Sequence, residues 1–166
     1  MTVLVAIPLL SFLVILQSAV VSRMPLLHGT PDLVLLVLVA WAFQERVETA
    51  WHWAILGGIF ISISSAMPFG IFIAGYLVTT AVARFLRQRA WKLPLIGMLI
   101  TTILGTLITQ GIAILGLSLT GSLLPLLDSF NLVTLPSLVL NILLAIPIYV
   151  LMSDLANWLY PKEIEA

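Results

Sequence analysis

The 166-residue chain is 61% hydrophobic and only 8% charged, with a mean hydropathy of +1.20, whereas a soluble domain carries roughly 25% charged residues. That excludes a soluble globular protein and points to a single integral membrane domain over residues 1–166, with no nucleic-acid partner expected. The absence of cysteine excludes disulfides, thiolate metal sites and cysteine nucleophiles. His28 and His52 are isolated, so neither a metal nor a cofactor is expected.

A hydrocarbon core of about 30 Å needs roughly 20 helical residues, and closed backbone hydrogen bonding makes helices the default for spans this apolar. Charges and Pro/Gly breaks divide the chain into about six. The first runs from about Val3 to Val21; it lacks the basic start of a secretory signal and is read as a retained helix. The second ends near Phe43, before the charged stretch Gln44 to Glu48. Trp51 to Ala83 holds no charged residue and is too long for one span, about 50 Å as a helix. It is expected to break at Ser64-Ser65-Ala66-Met67-Pro68-Phe69-Gly70, with Pro68 opening the fourth helix. The fifth span covers about Leu93 to Leu117 and the sixth about Leu135 to Leu159. Between them, Leu119 to Thr134 reads as a loop carrying Gly121, Pro125, Asp128 and Asn131.

Orientation follows from Lys and Arg in short loops. Arg84, Arg87, Arg89 and Lys92 lie between the fourth and fifth helices, which makes that loop cytoplasmic. Six spans then put Arg46, Lys162 and both termini inside as well, leaving only Arg23 of the seven basic residues outside. Trp51, Trp53, Trp91, Trp158 and Tyr160 all fall at predicted cytoplasmic ends, where amphipathic rings favour the interface.

The segment Gly29-Thr30-Pro31-Asp32 has the signature of a helix start: Thr30 as N-cap, Pro31 at the first helical position, and Asp32 in the first turn near the positive dipole end. Yet Pro31 to Gln44 is only about 14 residues, roughly 21 Å, short of the hydrocarbon thickness. Either Met24 to Gly29 adds a kinked turn, or the segment dips in and the helix begins recessed. Two readings of Asp32 stand side by side: a capped, partly hydrated helix end with Arg23 or His28 as ion-pair partner, or a polar site in an outward cavity or partner groove. On the first reading, Asp32→Asn loses about 0.3–1 kcal/mol of charge–dipole energy.

Gln17, Gln110 and Asn141 are uncharged polar residues within spans, and an interhelical hydrogen bond of about 1 kcal/mol explains each. Gly97, Thr101, Gly105 and Thr109 recur every fourth residue and continue to Ala113, a small-residue stripe that lets a neighbouring helix approach closely, whether internal or from another subunit. The Arg84 to Lys92 cluster is most simply a topology signal; contact with anionic membrane lipid or a cytoplasmic partner is the other reading. There is no P-loop, nucleophile elbow, HExxH or pair of intramembrane acids, so no catalytic residue is expected. A scaffold, a binding subunit or a carrier remains, the carrier disfavoured by the missing acid pair.

The order of features resembles the MreD family of bacterial rod-shape-determining proteins: PDLVLLVLVAWAF opening the second helix, glycine-rich WHWAILGGIFISISS, the Pro-x-Gly turn of MPFGIFIAGYLVTTAVARFLRQR, and the ending NILLAIPIYVLMSDLANWLYPKE with Asn141, Pro147, Tyr149 and Pro161. Many members carry an acid after the glycines of the third helix, where this chain has only Ser62, Ser64 and Ser65. The resemblance implies a non-enzymatic plasma-membrane subunit of the cell-elongation machinery. It would bind MreC and, through the same complex, MreB and the wall-synthesis enzymes. It also implies a fold similar to the S components of energy-coupling-factor vitamin transporters, the runner-up function. For a vitamin pocket the outer segments offer His28, Asp32, Asp128, Phe130 and Asn131.

Overall fold

The computed structural model describes residues 2–19, 29–89, 94–121 and 129–161. Within them the chain is all-α: α1 (Thr2–Ala19), α2 (Leu33–Ala42), α3 (Ala50–Ser64), α4 (Ile71–Arg89), α5 (Pro94–Leu119) and α6 (Leu135–Leu159). Two segments, Pro94–Leu119 and Phe130–Leu159, are long and apolar enough to cross a membrane; the helices α1, α2 and α3 are apolar but shorter.

All ten residues of α2 are buried. A helix that is apolar on every side must be covered by protein or by lipid, and here protein covers it. The other five helices do so, each packing on α2 and neighbouring one another in the order α1, α3, α4, α5, α6. Contacts fix the directions. Asp32 meets Asn141 at one end while Trp41 meets Tyr160 at the other, so α2 and α6 run the same way. Tyr76 meets Asp32 and Arg87 meets Ala42, so α4 is parallel to α2 too. Gly75 faces Thr109 and Gly105 faces Thr79, so α5 runs opposite to α4.

Close approach depends on small residues. A Cβ on Gly58 of α3 would lie 2.6 Å from the Ile73 Cα of α4, and one on Gly57 would lie 2.9 Å from a Val34 methyl of α2. Dispersion and close packing are what hold helices together where water is scarce.

Several sequence expectations shift. The break between α3 and α4 falls within the expected Ser64–Gly70 stretch, but α4 begins at Ile71, not Pro68. Gly70 takes φ +99, a left-handed turn conformation that stops a helix from starting before it. The expected loop from Leu119 to Thr134 is partly helical: Phe130–Thr134 is a π-helical turn continuous with α6, closed by the Leu135 N–H donating to the Phe130 carbonyl. Pro136 has no N–H to extend an α-helical pattern backwards, and the wide turn accommodates that loss. Trp53 is not an interfacial ring. It is fully buried and stacked on Trp41 with centroids 4.4 Å apart, whereas Trp51 and Trp158 are exposed. Trp91, Arg23, His28, Lys92, Asp128 and Lys162 lie outside the described residues.

Candidate functional site

The polar residues scattered along the sequence converge on the start of α2. Gly29 to Asp32 is non-helical and lies against α6, so close that a Cβ on Gly29 would sit 2.5 Å from the Ser137 nitrogen. The Thr30 N–H donates to Ser137 Oγ at 3.1 Å. Pro31 is buried and has no N–H to satisfy. The Asp32 N–H donates to Asn141 Oδ1 at 2.8 Å, and the Leu33 N–H donates to Gln17 Oε1 at 3.0 Å. Helix starts expose orphan backbone donors, and here side chains from α1 and α6 accept them.

Asp32 itself caps the helix. Its Oδ1 accepts the Leu35 N–H at 2.9 Å, and its backbone, at φ −95 and ψ 88, is not yet helical. This corrects the expected assignment of Thr30 as N-cap with Asp32 in the first turn. A shorter reach from carboxylate to the third N–H makes Asp32 the better cap, and Thr30 and Pro31 become the approach to it. The helix begins at Leu33 and the approach from Gly29 to Asp32 is non-helical, while Met24 to His28, on which the expected kinked turn falls, lie outside the described residues. Non-helical backbone is tolerated away from water where protein satisfies it, as Gln17 and Asn141 do here.

The carboxylate's second partner comes from α4. The hydroxyl of fully buried Tyr76 lies 2.9 Å from both Asp32 oxygens. Asn141 extends the network into α5: its Nδ2 donates to Thr106 Oγ1 at 2.9 Å, and that hydroxyl donates to the Thr102 carbonyl at 2.8 Å. Five helices thus meet around one carboxylate and one carboxamide. Both Asp32 carboxylate oxygens, both polar atoms of the Asn141 carboxamide and the hydroxyls of Tyr76 and Thr106 are hydrogen-bonded within the bundle, and the arrangement ties helices to one another. Among the described residues no group of three or more His, Asp or Glu converges as metal ligands do.

The stripe on α5 is buried at Gly97, Thr101, Gly105 and Thr109, and its neighbour is α4 of the same chain. Thr101 and Thr109 donate their hydroxyls to the carbonyls of Gly97 and Gly105, both at 2.8 Å, which satisfies the polar group and turns the methyl outward. A Cβ on Gly75 would lie 3.2 Å from the Thr109 methyl. Gln110 is half-buried.

Arg84, Arg87 and Arg89 lie within α4, which runs on as helix through Arg89, and not in the loop after it as expected, and the basic residues at this end do more than mark a boundary. Arg87 donates to the Gln44 carbonyl at 2.6 Å and the Ala42 carbonyl at 3.4 Å; Arg84 donates to the Val47 carbonyl at 3.2 Å; Arg46 donates to the Tyr160 carbonyl at 2.9 Å. Cations at a helix C-terminus meet its orphan carbonyls and negative dipole end. Arg89 stacks over the Phe85 ring, 4.6 Å from its centroid.

Sequence reasoning missed Tyr76, Thr106 and Ser137. Tyr76 had one signal, a phenol in an otherwise apolar run, since a buried Tyr hydroxyl requires a partner. Comparison of the chain with protein-family models, with curated proteins and with solved structures gives no match.

Proposed function

We propose that this chain is a non-enzymatic scaffold subunit of the bacterial cell-elongation machinery, of the MreD kind. It crosses the plasma membrane six times with both termini cytoplasmic and binds MreC, coupling through the same complex to MreB and the wall-synthesis enzymes. One observation carries the reading. The two segments on which the resemblance rests most, the Pro31-Asp32 opening and the Asn141 ending, are joined by the Asp32 to Asn141 hydrogen bond across 109 residues. Residues that look like separate family marks are one physical unit at the centre of the bundle, as a scaffold's rigid core requires.

The alternation of helix directions supports six spans, and Arg46, Arg84 and Arg87 gather at a single end, with the carbonyl of Tyr160 among them. That clustering fits the positive-inside bias. The testing experiment is co-purification from native membranes together with depletion in a rod-shaped host. MreC retained on the protein, and rounded cells on depletion, is the expected result. Normal shape with a bound vitamin and an ATPase pair assigns the chain to the transporter S components instead.

A further inference from the structure

We propose that the cavity at the arginine-rich end of the bundle holds an anionic phospholipid, its phosphate against Arg46 and Arg87 and its chain leaving between α5 and α6. This rests on the membrane placement proposed above, with that end at the cytoplasmic leaflet.

The cavity measures about 530 Å³, within the range of about 300–1,000 Å³ usual for small-molecule sites. Its lining is part polar, with Gln44, Glu45, Arg46, Arg87, Gln88 and Asn157, and part apolar, with Phe43, Pro94, Ala156 and the ring of Tyr149. Tyr149 is eight residues from Asn157 on α6, so the cavity runs about 12 Å along that helix. Level with the cavity the surface is apolar and exposed at Leu95 and Ile96 on α5 and at Val150 and Leu151 on α6, and farther from the arginine end it stays so at Ile100 and Leu104 on α5 and at Ile146 and Leu143 on α6. A cationic rim, an apolar part of the wall and exposed apolar helix faces that run from the cavity away from the arginine end match an amphiphile lying along the membrane normal. A soluble acidic peptide has no use for the apolar wall or for those faces.

Charge selects the headgroup. Two guanidiniums face one carboxylate, Glu45, at the mouth, which leaves a positive surplus. The Arg87 guanidinium is cationic, as guanidiniums in proteins are. Arg87 spends donors of one nitrogen on the Ala42 and Gln44 carbonyls, but the planar fork carries five N–H donors, and forked donors suit phosphate oxygens.

The test uses the purified full chain, delipidated in detergent, with native mass spectrometry counting bound phosphatidylglycerol against phosphatidylcholine. Phosphatidylglycerol should be retained preferentially. Asn157 is exposed at the mouth, so Asn157→Glu should lower phosphatidylglycerol affinity about fivefold and Asn157→Lys should raise it by a similar factor, the effect expected of one charge near an anionic headgroup. Unchanged thermal unfolding of both variants guards against a folding defect, and Arg46→Gln should act in the same direction as Asn157→Glu. Equal retention of the two lipids, indifference to the charge at position 157, or inorganic phosphate competing at the lipid's own affinity would overturn the proposal. The assay contains no MreC and no cell, so its failure leaves the scaffold reading standing, and loss of that reading in the co-purification experiment does not alter its outcome.

Discussion

The Tyr76 hydroxyl bridges both carboxylate oxygens of Asp32 at 2.9 Å, and so joins the second turn of α4 to the N-cap of α2. A carboxylate in that position has two roles, capping a helix and receiving a phenol. Removing either partner leaves the other with an enclosed polar atom.

Tyr76→Phe should therefore destabilise by about 1–3 kcal/mol, the cost of an unsatisfied buried partner. Asp32→Asn keeps an oxygen for the Leu35 N–H but loses charge and one acceptor, so its cost should exceed the 0.3–1 kcal/mol of a simple first-turn anion. The double variant should cost less than the sum of the two singles. Equilibrium unfolding in mixed micelles measures all three; strict additivity means the hydrogen bond contributes nothing.

Asn141→Leu removes the acceptor of the Asp32 N–H and the donor to Thr106 together. A loss of about 1–2 kcal/mol is expected, with Thr106→Val milder because it breaks only one of those bonds. The same unfolding measurement ranks them, and an equal or larger effect of Thr106→Val contradicts the central place given to Asn141.

Gly58→Ala places a Cβ 2.6 Å from the Ile73 backbone, where no rotamer change makes room. It should cost about 1–3 kcal/mol by overpacking. Gly111→Ala meets nothing within 4 Å and should be neutral or stabilising by up to about 1 kcal/mol, through the helix preference of alanine. Paired melting curves decide the matter, and equal behaviour of the two would refute the close α3–α4 contact.

Single cysteines at Gln88 and Asn131 should react with an impermeant thiol reagent from opposite faces of the membrane, Gln88 from the cytoplasm. The native chain has no cysteine to confuse the result. Labelling of both from one face eliminates the six-span arrangement.

Composition and break residues make the all-α character and the positions of all six helices legible, because charges and turn formers interrupt apolar runs whatever the packing. The identity of α2 as the enclosed helix was not legible. Its sequence is more apolar than α1 or α6, but lipid covers an apolar helix as readily as protein does, and only tertiary neighbours distinguish the two. For the same reason Trp53 read as an interfacial ring when it stacks on Trp41. Asp32, Gln17 and Asn141 stood out singly as polar groups in apolar surroundings, yet their convergence depends on contacts across 16 and 109 residues. Thr106 and Ser137 were hidden because helical serine and threonine ordinarily satisfy themselves on their own backbone. The arginines read correctly as a cluster, but their service to the carbonyls of the α2–α3 connection requires knowing where that connection lies.

The enclosure of α2 divides the molecule for mutational scanning. No side chain between Leu33 and Ala42 reaches the surface, so a variant there that loses function reports on folding, and can reveal a partner only through damage passed outward. Recognition must be written on the outer helices, in side chains such as Phe12, Ile15, Leu143, Leu151 and Trp158 that stand 61–74% exposed. Loss of function at wild-type abundance, mapped over those positions alone, separates the vocabulary of binding from the grammar of the fold.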